Sequence, residues 1–125
     1  MSYSIKFQKN TEVCQLPFAP PKGGTSCVDE DFRDACLNIT CNYASVFRKY
    51  NVTIHWHEDD PPTINVLENK TAMECVRILT PVIPRMGNES NPDYWKATEG
   101  NAKMALMNLL MIALAVPQDA ICVVS

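Results

Sequence analysis

The chain has two histidines, one residue apart in His55-Trp56-His57. On a strand that spacing points both imidazoles to one side, an arrangement able to ligate zinc, with Glu58, Asp59, Asp60, Cys36 or Cys41 as further ligands. The support is thin: no C-x-x-C occurs, and Cys36 and Cys41, five apart, fall on opposite sides of any strand they share. No metal site is expected. Nucleophilic catalysis is poorly supplied, because there is no Gly-x-Ser-x-Gly elbow and both candidate general bases flank Trp56. Paired carboxylates occur in acidic stretches such as Asp29-Glu30-Asp31 and Glu58-Asp59-Asp60, where nothing points to the burial that would shift a pKa. No catalytic residue and no cofactor are assigned, and the reading leans away from an enzyme.

Two sets of residues fit binding better. Thr98-Glu99-Gly100-Asn101-Ala102-Lys103 opens a helix whose first amides have no intrahelical partner. Gly100 allows close approach and Lys103 supplies a cation, so Thr98, Gly100, Asn101 and Lys103 could hold an anion or phosphate. The competing reading is a Thr cap followed by an acidic residue that favours the helix dipole. The second set is Asn38, Thr40 and Asn42. Three amide or hydroxyl side chains on one strand face can floor a polar pocket, and they equally describe a solvent-facing strand.

These residues must be positioned by regular elements. Tyr3-Ser4-Ile5-Lys6-Phe7 alternates like a first strand, and Leu37, Ile39 and Cys41 alternate with Asn38, Thr40 and Asn42 in a second. A short helix follows over 43–50, then a β-prone run over 52–57 that ends in a turn. Thr71-Ala72-Met73-Glu74 fits a capping box, with Cys75, Ile78, Leu79 and Val82 on the inner face and Pro81 and Pro84 kinking or ending the helix. Asn91-Pro92-Asp93 suggests another helix start leading into Tyr94 and Trp95. The long helix spans 98–116, and Ile121-Cys122-Val123-Val124 forms a last strand. Prolines 17, 20 and 21 make an extended arm over 16–24. The expectation is one α+β domain over 1–125: a small antiparallel or mixed sheet packed against about three helices.

The long helix is apolar on more than one side. Ala102, Leu106, Leu109, Leu110 and Ala113 share one face, and Met104, Met107 and Met111 another. Either the domain encloses it, or a second subunit covers the methionine face and the protein is a homo-oligomer.

Composition narrows the function class. A formal charge of -3 with scattered Lys and Arg argues against direct nucleic-acid binding. The nearly apolar run 104–116 is too short to span a bilayer. The first residues carry neither a seven-residue apolar stretch nor a small-residue cleavage site, so a cytoplasmic location is expected. Six cysteines and N-x-S/T triplets at Asn38, Asn51, Asn69 and Asn88 point instead toward a secreted protein; with no signal segment, reduced cysteines are the favoured reading.

Several segments together resemble a group of small bacteriophage and prophage proteins of uncharacterised function. They are Gly23-Gly24-Thr25, Leu37-Asn38-Ile39-Thr40-Cys41-Asn42-Tyr43, Lys70-Thr71-Ala72-Met73-Glu74, and Asp93-Tyr94-Trp95-Lys96-Ala97-Thr98-Glu99-Gly100-Asn101-Ala102 with the Ala105-Leu106 and Leu109-Leu110 that follow. The resemblance spans about 23–117 and is most specific over 94–102. Cys41 stands where an aromatic is expected, and the stretch 55–62 is longer. The resemblance implies a phage accessory protein that acts by binding inside the bacterial host, with a host protein or small anionic ligand as partner. By analogy it inhibits a host defence system through an effector protein or a nucleotide signal. The alternative is a small metal-dependent or nucleotide-processing enzyme.

Overall fold

The alternation around Ile5 runs on in both directions, and β1 covers Ser2–Lys9. In a computed structural model the protein is described over residues 2–19, 33–50, 67–93 and 95–124. Tyr3, Ile5 and Phe7 are buried on one face of β1. β3, Cys36–Thr40, lies antiparallel along one edge, with Ile39 opposite Tyr3 and Leu37 opposite Ile5. β4, Ile121–Val124, lies antiparallel along the other, with Val124 opposite Ile5 and Cys122 opposite Phe7. β1 is thus the central strand, and the fold is the expected α+β domain: a four-stranded antiparallel sheet with three helices in contact.

The fourth strand is a short hairpin return that the sequence did not announce. β1 turns through Asn10 and Thr11 into β2, Glu12–Val13, with Lys9 opposite Glu12. Both turn residues have positive φ, 55° and 67°, as a two-residue hairpin requires. Asn tolerates that region, whereas β-branched Thr is strained there. Without a Gly in the turn, the usual hairpin signal is missing.

β3 ends two residues earlier than its alternation to Asn42 suggests. The Thr40 hydroxyl accepts from the Asn42 N–H and caps a 3-10 turn, Cys41–Tyr43, that leads into α1, Ala44–Lys49. Tyr43 meets Phe47 edge to face, 6.2 Å between ring centroids, and both are fully buried.

α2, Ala72–Leu79, starts at the expected capping box: the Thr71 hydroxyl accepts from Glu74 N–H and the Glu74 carboxylate accepts from Thr71 N–H. Just before it, Asn69 N–H donates to the Cys122 carbonyl and Cys122 N–H to the Lys70 carbonyl, so this stretch also covers the free edge of β4. Thr80 closes the helix, and Pro84 lies in a 3-10 turn over Ile83–Arg85.

α3, Glu99–Ala115, is capped by Thr98 as expected. Ala102, Ala105, Leu106, Leu109, Ile112 and Ala113 are buried against the sheet and α2, and Leu110 packs at the margin. Full enclosure is not what the chain achieves: Met104, Met107, Met111 and Leu114 are 55%, 45%, 43% and 59% exposed. Among the described residues no helix is long and apolar enough to cross a membrane.

Other expected features are not found or fall elsewhere. Asn91-Pro92-Asp93 opens no helix; Asp93 N–H donates to the Asn91 side chain and Trp95 N–H to the Asp93 side chain, so the same residues that could cap a helix make successive Asx turns. Of the proline-rich arm, Leu16 is buried and Phe18 packs against the core. Residues 20–24 of that arm, the acidic cluster at 29–31, the strand expected at 52–57 with His55 and His57, and Tyr94 lie outside the described residues.

Thr11→Gly removes the strained turn residue and should raise stability by roughly 0.5–1 kcal/mol. Thr71→Ala removes the α2 cap and should lower it by about 1 kcal/mol. Urea unfolding midpoints of the two variants and the parent check both signs.

Candidate functional site

The first turn of α3 uses its free amides within its own chain. Asn101 N–H donates to the Thr98 hydroxyl at 3.2 Å and Gly100 N–H to the Glu89 carbonyl at 2.6 Å, and the regular helical bonds begin with Ala102 N–H to the Thr98 carbonyl at 3.0 Å. A Cβ at Gly100 would overlap that Glu89 carbonyl, so the absent side chain admits the chain's own backbone rather than a ligand. Glu99 adds a carboxylate here. It accepts from Lys49 Nζ at 2.8 Å, from Gly87 N–H at 3.0 Å and from the Tyr50 hydroxyl. The bonds to Lys49 and Tyr50, then that from Gly87, hold the Glu99 carboxyl well below its ordinary 4.5, at about 2. The same contact raises the pKa of Lys49 and Tyr50. The end of α1, Gly87 and the start of α3 are joined through this one side chain.

The first candidate set and Asn42 of the second meet on the loop between Met86 and Thr98. Asn101 Oδ1 accepts from Asn91 N–H, and its Nδ2 donates to the Asp93 and Lys96 carbonyls, each at 3.1 Å. Asn42 Nδ2 donates to the Trp95 carbonyl at 3.1 Å. Lys103 Nζ donates to Asn88 Oδ1 at 2.8 Å and reaches the Met86 carbonyl at 3.5 Å. Asn42, Thr98, Gly100, Asn101 and Lys103 therefore form one framework under one loop, and that loop presents Trp95 with 44% of its surface exposed. A tryptophan is large and costs little conformational entropy to order, which makes it a strong contact residue when the backbone beneath it is fixed.

Asn38 and Thr40 do not join this framework, which corrects the picture of three polar side chains on one strand face. Asn38 stands opposite Ser4 on the face of the sheet turned away from the helices, its Oδ1 buried without a hydrogen-bond partner among the described residues. Thr40 is 2% exposed and is used as a cap. Asn42 has left the strand altogether. The tertiary role of Asn42 and Asn101 was not readable locally; the only signal was the run of side chains able to donate and accept next to a helix start.

Two shallow depressions flank the framework. One, about 340 Å³, is lined by Ser45, Val46, Lys49, Thr98 and Glu99 among others. The other, about 320 Å³, lies between Asn88, Ser90, Gly100, Lys103, Met104 and Met107. Among the described residues no group of three His, Cys, Asp or Glu could hold a metal ion. The five described cysteines are free thiols. Burial raises the pKa of Cys14 and Cys36, and a hydrogen bond with Cys75 raises that of Cys122, so these three are thiols rather than ready nucleophiles.

Because the Glu99 pKa is lower folded than unfolded, its contribution is complete above about pH 4.5 and fades as pH falls toward 2. Glu99→Gln should therefore cost stability at pH 7, and the gap to the parent should narrow over that acid window. A gap independent of pH in urea titrations would remove the assignment. Gly100→Ala should lower the melting temperature by several degrees, since either Glu89 or the helix start must shift. No family model matches this chain, and no curated protein or solved structure matches it.

Proposed function

We propose that this chain is a non-catalytic binding protein of the phage-accessory kind, acting in the bacterial cytoplasm, and that it engages a host protein through the braced loop carrying Trp95. The observation that carries this reading is the combination of an exposed tryptophan with a backbone held by Asn42 and Asn101. Functional contacts concentrate on loops set by a rigid scaffold, and bracing the loop beforehand lowers the entropy lost on binding. The stretch Tyr94 to Ala102, where the resemblance to phage proteins is most specific, includes Trp95 and Asn101. Inhibition of a defence effector by occupying its surface is the mode this supports.

A small anionic ligand, such as a nucleotide signal at the start of α3, is the second reading. Lys103 favours it, since its ammonium contacts neutral oxygens and lines an open depression. The internally bonded amides and the Glu99 carboxylate oppose it.

Trp95→Ala should leave the thermal midpoint within about 2 °C of the parent while weakening partner binding at least tenfold, as expected for a contact worth more than about 1.4 kcal/mol. Affinity capture from bacterial lysate with parent and variant in parallel tests this. Retention of the same proteins by both, or of none by either, overturns the reading. A nucleotide released from the native protein in native mass spectrometry would move the assignment to the anionic ligand.

A further inference from the structure

The exposed apolar residues of α3 are not scattered. Met104, Met107, Met111 and Leu114 follow each other at intervals of three, four and three residues, the a/d spacing of a helix that packs against another helix. We infer that this stripe is the seam of an antiparallel two-fold dimer, with a second copy of the chain as its occupant. The surface is distinct in composition from the Trp95 loop, and the inference does not rest on that reading.

The first argument is self-complementarity. The interval pattern is the same read in either direction, so turning one helix end for end about a point near Leu109 keeps every layer in register. Met104 then meets the partner's Leu114, and Met107 meets the partner's Met111. A two-fold axis demands this kind of patch, in which each residue finds its counterpart by reversal.

The second argument is shape. Leu114 is the most exposed large hydrophobic side chain described. The depression of about 320 Å³ lies at the opposite end of the same stripe, walled by Met104 and Met107 with Gly100 and Lys103. Reversal brings the protrusion of one copy to the hollow of the other, and methionine adapts to such a fit better than branched side chains do.

The third is charge and area. None of the four seam residues is charged, and Lys103 falls opposite the last turn of the partner helix, which carries no basic residue and whose dipole favours a cation there. The four side chains expose roughly 400 Å² per copy, the size of the largest apolar patch a monomer normally tolerates. With the flanking residues, a pair buries on the order of 1,000 Å², at the lower bound of specific interfaces.

Sedimentation equilibrium between about 1 and 100 µM tests it. The parent should approach twice the 14.0 kDa chain mass at the upper end. Met107→Glu, and separately Leu114→Glu, should raise the dissociation constant at least tenfold with unchanged circular dichroism, since both positions are exposed within one chain. Combining Met107→Lys with Met111→Glu should restore association at low salt, because reversal pairs opposite charges where parallel packing pairs like ones. A parent that stays monomeric at 100 µM overturns the dimer, as does association unaffected by both glutamate variants. Failure of the charge pair to restore it overturns the antiparallel register. Trp95→Ala should leave the mass unchanged, which separates this outcome from that of the loop.

Discussion

A helix that enters the core needs partners for its first amides, and α3 finds them in the chain that leads up to it. The Thr98 hydroxyl takes one and the Glu89 carbonyl another. The second of these requires backbone to touch backbone, which glycine at position 100 permits. Because Glu89 is fixed there, the chain between it and Thr98 must fold back over the helix, and Asn101 then bonds to three points along it. Glu99 turns outward from the same turn to join Lys49, Tyr50 and Gly87. The loop, the end of α1 and the start of α3 thus depend on how one helix satisfies its N-terminus.

This accounts for the split between the two faces of α3. Its inner face is occupied by small and branched residues that fit the sheet and α2 closely, with Ala102, Ala105 and Ala113 letting the backbones approach. Its outer face is built mostly of methionine, a residue that tolerates many packings. The inner face specifies one arrangement, while the outer face is suited to a surface that must fit something outside the chain.

Much of the architecture was legible because it is locally encoded. The alternation around Ile5, the Thr71 and Glu74 pair and the apolar run of α3 each identify their element without reference to the rest of the chain. β2 escaped because Asn10 and Thr11 lack the glycine that usually marks such a turn, and positive φ at a threonine is paid for by the pairing around it. The start expected at Asn91 failed for a different reason: the capping of a helix and the closing of an Asx turn use the same side-chain bond, and only the following residues decide between them. The site was the least readable part. Asn42 and Trp95 are brought together by tertiary structure, and no spacing rule connects a side chain with a carbonyl so distant along the chain.

The position of β1 bears on how the chain reaches this fold. Its central strand is bordered by β3 on one side and by β4 on the other, and β4 comes from the opposite end of the sequence. The sheet cannot be completed until nearly the whole chain has been drawn into a single loop, whose closure costs entropy before any pairing returns it. Until then, Phe7 has no Cys122 opposite it and the underside of α3 has only part of its floor. Folding should accordingly be slower than in a helical bundle of this size, with the β1–β4 pairing among its last events.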